Sequence, residues 1–261
     1  MNHKKGQVTV FIIIGILLVA AAGAYFYLKA SEAEAGIKPV EVTGIASAVN
    51  LFVNDCVRDT SEEAVLWIGM QGGYYKVPEP IFPFGVFDVP VFYDEGEPQH
   101  VPTAQEFGDQ LGIYVSDNLD FCLNNFESFL SQGYSFETGE ITPKVLVGEK
   151  KVLFNVNYPI TVRLQDASQS IDTFGAEVDV QIPKMIKTAN QYLDAQADVP
   201  DAFRMKQIMD ASFDNDVVTE TIEFRDGFVM FNIIDPDTQI RDLNYSYIFA
   251  IKYNWEDIIP S

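Results

Sequence analysis

The chain has 261 residues, with 38 acidic against 17 basic side chains, a formal charge of −21, and 48% apolar residues. That apolar content excludes a disordered chain, and the charge argues against nucleic acid or anionic lipid headgroups as partners. Two histidines, His3 and His100, and two cysteines leave little material for a Ser-His-Asp hydrolase or a His-based zinc site, and no Gly-rich phosphate loop opens a helix. The expectation is therefore a non-enzymatic protein without a cofactor.

In chain order, Lys4, Lys5, Gly6 and Gln7 lead into an uninterrupted apolar run, Val8 to Leu28. Its 21 residues suffice to cross a hydrocarbon core of ~30 Å as a helix, for which about 20 are needed. Residues 1–7 read as a basic cytoplasmic leader and 8–28 as a single transmembrane helix. Glu32, Glu34 and Glu41 follow the run, so the positive-inside rule places the N-terminus in the cytoplasm and the bulk of the chain outside the cell membrane. A cleaved secretory signal is the competing reading, with Ala20 to Ala24 imitating its cleavage site.

The segment KKGQVTVFIIIGILLV resembles the class III signal sequences of archaeal type IV pilins and related pilin-like proteins. The resemblance is confined to the N-terminal segment. It implies a cut by a prepilin-type signal peptidase between Gly6 and Gln7, Lys4 and Lys5 as the recognised basic leader, and self-association through the transmembrane helix. Phe11 stands at the fifth mature position, where bacterial-type pilins carry Glu.

Residues 29–41 read as a stalk. The exterior region, 42–261, is large enough for a sizeable core, and residues 31–261 hold 14 basic against 38 acidic side chains. These charges are scattered, as on a solvated surface. A first helix is expected from Val42 to Met70, stopped by Gly72-Gly73. The glycine pair fits a left-handed cap, or alternatively a ligand nest of exposed amides.

A proline- and aromatic-rich stretch from Tyr74 to Pro102 reads as an extended loop with short edge strands. Its Phe82, Phe84, Phe87 and Phe92 either clamp the loop to the core or form a partner surface. Thr103 and Glu106 make a capping-box pattern that opens a second long helix, expected to run to Ser131. Cys56 and Cys122 lie on apolar stripes of these two helices, so both are expected to face a core and to form a disulfide that joins the helices; two buried free thiols are the alternative.

Near 135–140 the apolar period changes, a sub-boundary of the exterior region. Strands are expected at Lys144 to Val147 and Val152 to Leu164, the second interrupted at Tyr158-Pro159 by an edge position or bulge, and again near Ala176 to Gln181. A helix begun by Pro183 and a shorter one opened by Pro200, carrying Phe203, Met205 and Ile208, follow. The tail reads as a hairpin, Val217 to Phe224 and Phe228 to Ile234 around Arg225-Asp226-Gly227, with a last strand from Tyr245 to Tyr253.

Helices followed by a mostly antiparallel sheet with inserted helices make an α+β fold. Asp214, Asp216, Asp235 and Asp237 are weak cation candidates next to strand ends, but Asx turns explain them without a metal, and none is expected. Asn244 is a glycosylation candidate in the sequon Asn244-Tyr245-Ser246. Two functions fit: a structural or adhesive cell-surface protein, pilin-like in its anchor, or a membrane-tethered binding module for a small ligand, a cation or a protein.

Overall fold

Residues 44–94, 96–199, 202–225 and 227–253 are described by the structure, a computed structural model, which gives only the backbone for 222–225. All belong to one unit, Ile37–Ser261. The leader, the apolar run Val8 to Leu28 and the stalk lie outside the described residues, among which no helix is long and apolar enough to cross a membrane.

After a short 3₁₀ turn, Gly44–Ala46, helix α1 spans Ser47–Met70. Val49, Val53, Cys56, Val57, Ala64, Val65 and Ile68 are buried at the three- and four-residue spacing that puts them on one face. The helix ends in paired hydrogen bonds, Gly73 N to Ile68 O at 2.8 Å and Gly72 N to Gly69 O at 3.1 Å. Both glycines have positive φ, 59° and 95°, the left-handed cap expected from the sequence. The cap is not a ligand nest, because the amides of Gln71, Gly72, Gly73 and Tyr74 all donate to carbonyls within it, those of Ile68, Gly69 and Gln71.

Strands β1 (Ile81–Phe84), β2 (Phe87–Asp94) and β3 (Glu97–Pro98) follow. The proline-rich stretch is thus more regular than a loop, and β2 is an inner strand. It runs parallel to the last strand of the chain, β10 (Leu243–Lys252), on one side and antiparallel to β1 on the other. Pro90 is tolerated in β2 because the ladder to β10 begins at Val91, which leaves Pro90 opposite Ile81 of β1 alone; it packs at the C-terminal end of α1, where the Cβ that Gly72 lacks would stand 2.4 Å from Pro90 Cγ. With β8 (Val218–Arg225) and β9 (Phe228–Ile240), these strands form the first sheet, ordered β1-β2-β10-β9-β8 with β3 beside β2.

Helix α2 spans Ala104–Leu123, shorter than expected. Its capping box is present: Thr103 Oγ1 accepts from Glu106 N at 3.2 Å, and Glu106 Oε2 accepts from Thr103 N at 2.8 Å. The chain then turns left-handed through Asn124, Asn125 and Phe126 before a single helical turn, α3 (Glu127–Leu130).

The second sheet centres on β6 (Lys151–Leu164), paired along one side with β7 (Ala167–Asp179) and on the other with β5 (Thr142–Val147) and β4 (Tyr134–Thr138). Val152, Phe154, Val156, Tyr158, Ile160 and Val162 are buried, the period of two that a strand with one covered face imposes. At Tyr158-Pro159 the register to β7 shifts, so the interruption is a bulge in a central strand and not an edge.

Helices α4 (Ile182–Asp198) and α5 (Met205–Asp214) connect the sheets in sequence. Tyr192 of α4 meets Phe231 and Phe249 of the first sheet at 6.1 and 6.3 Å between ring centres, and Phe92 stacks on Phe249 at 5.2 Å. The α+β class is as expected, but the strands divide into two sheets, with β2 and β10 the parallel exception to the antiparallel pattern.

Helix α1 packs against β7 of the second sheet and β10 of the first. Asn54 Oδ1 accepts from Gly175 N of β7 at 3.1 Å, whereas Gly69 lies against β10 so closely that an added Cβ would stand 2.5 Å from Ser246 O and 2.8 Å from the Tyr245 ring. Gly69→Ala is therefore expected to destabilise the protein by about 2–3 kcal/mol through overpacking against backbone that cannot yield, measured by denaturant unfolding; a change within about 0.5 kcal/mol, as at an ordinary surface site, would contradict this contact.

Candidate interaction surfaces

Cys56 and Cys122 are bonded, with Cα atoms 5.6 Å apart, joining α1 to α2 as expected. Only Cys56 is buried; Cys122 sits on the exposed border of α2, which corrects the expectation that both face the core. The apolar stripe of α2 runs through Leu111, Val115 and Leu119 to Leu123, one position past the cysteine. Closing a loop over 66 residues of separation stabilises by about 4 kcal/mol in the chain-entropy account.

Directly after the disulfide, Asn124, Asn125 and Phe126 take φ of 43°, 51° and 57°. Asparagine tolerates this region, whereas a bulky Phe there is strained by about 1–3 kcal/mol. Packing holds it: Phe126 is buried, stacks on Phe136 at 4.4 Å and meets Phe52 at 6.2 Å. The turn borders a groove of about 560 Å³ between α2 and the β4–β5 connection, lined by Asp120, Leu123, Phe126, Glu140, Ile141 and Tyr158. Phe121 of α2 is 81% exposed. The expected helix to Ser131 stops here because three left-handed residues cannot continue a right-handed helix.

The expected aromatic partner surface is absent as such. Phe82 and Phe92 are buried, Phe84 packs on a small cluster with Met230 and Ile248, and Phe87 is half-buried with its ring centre 4.8 Å from Trp67. Alternation along β1 and β2 turns these side chains into two interiors.

The acidic candidates do not converge on a cation. Among the described residues no group of three His, Cys, Asp or Glu side chains is placed to hold a metal ion. Asp235 is wholly buried within β9, not at a strand end, and its carboxylate accepts from Lys184 Nζ at 3.0 Å, Thr238 Oγ1 at 2.8 Å and Asp237 N at 3.2 Å. Asp237 is exposed. The turn of this hairpin is Arg241-Asp242, with φ of 51° and 63°, the left-handed pair that a two-residue hairpin requires.

Asp214 and Asp216 border a separate groove with Gln181, Lys184 and Lys187. Asn244 is exposed at the start of β10, with Oδ1 accepting from Gln239 Nε2 at 3.3 Å. His100 is exposed and its Nε2 lies 3.1 Å from Glu106 Oε2. Hydrogen bonds from Thr103 hold the Glu106 carboxyl below its usual range, with a smaller contribution from His100.

Helix α5 starts at Met205, later than the Pro200 expected to open it, so Phe203 precedes the helix. Ile208 and Ala211 face inward, whereas Met205, Met209 and Phe213 are 50%, 63% and 84% exposed. These three stand four residues apart, a pattern present in the sequence but indistinguishable there from a core stripe. No family profile, curated protein or solved structure matches the chain.

Lys184→Met is expected to destabilise by about 3–5 kcal/mol, because it strands the Asp235 charge in the interior. Denaturant unfolding of that variant and of Lys184→Met with Asp235→Asn tests the pairing: the double variant should recover part of the loss, and equal stabilities of wild type and Lys184→Met would contradict it.

Proposed function

We propose that the chain is a structural or adhesive protein of the cell surface, a pilin-like subunit cut between Gly6 and Gln7 and anchored in the cell membrane by Val8 to Leu28. The observation that supports this reading most is the bond between Cys56 and Cys122. Structural disulfides persist in oxidising surroundings and are rare in cytosolic proteins. That agrees with the orientation read from Lys4 and Lys5 ahead of the apolar run and the acidic side chains after it. An excess of 38 acidic over 17 basic residues in the chain favours a soluble exterior region. The anchor offers self-association as its assembly contact, and a prepilin-type peptidase as its processing partner.

A second reading, a membrane-tethered binding module without catalysis, is favoured by the groove between α2 and the β4–β5 connection. In that reading the groove takes the place of the aromatic stretch as the contact surface.

Intact mass measurement of the protein taken from its own membrane tests the first reading. The expected mass is that of a chain starting at Gln7 and lacking two hydrogens; an intact Met1, or a start after Ala24, would contradict the pilin-like route.

A further inference from the structure

Helix α5 presents an apolar face that is exposed and has no partner among the described residues. Met205, Met209 and Phe213 lie along one side of it, and Val218, four residues beyond the helix, is 48% exposed. The opposite side is already used, since Ile208 and Ala211 are buried. A solvated helix would carry polar residues at the first three positions.

Charge along the same helix runs against its dipole. Arg204 caps the N-terminus and Lys206 stands in the first turn, whereas Asp210, Asp214 and Asp216 occupy its second half and C-terminal flank. Anions are favoured at the N-terminus and cations at the C-terminus, so each group sits at the less favourable end. The Lys206–Asp210 ion pair relieves part of this. An inverted arrangement becomes favourable when a second helix lies antiparallel alongside, because the basic end of each then meets the acidic end of the other.

We infer that α5 is a self-association surface, and that its occupant is α5 of a second copy of this chain, packed antiparallel about a two-fold axis near Met209. An isologous contact needs a self-complementary patch. This one qualifies in shape and charge: Met205 faces Phe213 of the second copy, and Lys206 falls between Asp210 and Asp214 of the second copy along the helix axis. The patch is smaller than the ~1,600 Å² of a standard stable interface, so pairing in dilute solution is weak. Tethering on one membrane would raise the effective concentration. The inference goes beyond the anchor-based assembly proposed above and does not depend on cleavage at Gly6.

The test uses the full chain in detergent micelles, carrying one added cysteine; both native cysteines are consumed in a disulfide. Met209→Cys, on the axis, should form a covalent dimer under copper–phenanthroline oxidation. Phe213→Cys should not, because its two copies would lie about 12 Å apart along the axis, beyond the ~7 Å that a disulfide spans. Mixing Met205→Cys with Phe213→Cys protein should restore the crosslink. In the Met209→Cys background, Lys206→Glu and Asp214→Lys should each lower the dimer yield about fivefold, and together return it to within about twofold. Yields at Met209→Cys no higher than at the exposed control Leu243→Cys would overturn the inference, as would equal yields at 209 and 213 or indifference to the charge exchange. Association through the apolar anchor alone would give that position-independent result, so the two contacts are distinguishable.

Discussion

Helix α1 is held from two sides at once, and the rest of the exterior region depends on that. Its N-terminal half rests on β7, with Asn54 accepting from the Gly175 amide, and its C-terminal end meets β10 through Gly69 at a distance that leaves no room for a side chain. One continuous core, running from Val49 and Val57 through Phe154 and Val178 to Phe231 and Phe249, therefore serves both sheets. The bond from Cys56 to Cys122 fastens α2 to the same helix, and Arg241 at the β9–β10 turn reaches back to Glu62 at 3.0 Å. A helix so enclosed needs small or apolar groups on most of its circumference, and Ser61, Ala64 and Gly69 supply the small ones.

Much of this was legible in the sequence, for local reasons. The capping box at Thr103 and Glu106, the double glycine after Met70 and the period of two in β6 are short-range signals, and each structure formed where its signal stood. The misses are long-range. Nothing near Pro90 says that β2 will be an inner strand, because its partner β10 lies about 160 residues later in the chain, Ala250 pairing with Val91. The break after Leu123 is not visible in the sequence because Asn124-Asn125-Phe126 continues an apolar helical pattern; what overrides the pattern is the packing of Phe126, stacked on Phe136 and edge-on to Phe52. Asp235-Pro236-Asp237 has turn composition, yet the turn forms five residues further on, and the buried charge of Asp235 is met by a lysine 51 positions away.

The same contrast separates inside from outside. Buried polar groups such as Asp235 and Thr188 are satisfied by specific partners, Lys184 Nζ and Thr238 for the first and the Lys184 carbonyl for the second. The surface instead keeps two features that the core does not explain: the groove beside the left-handed turn, with Asp120 and Glu140 on its walls, and the apolar outer face of α5. Both are suited to contact with another surface.

If α1 joins the two sheets into one core, they should lose their structure together. Native-state hydrogen exchange on the disulfide-intact protein reads this directly, since each amide reports the free energy of the opening that exposes it. The account predicts that amides in α1 from Val53 to Ile68, in the middle of β6, and in β9 and β10 exchange with a single, highest free energy. Exchange of one sheet at a clearly lower free energy, while α1 stays protected with the other, would contradict it.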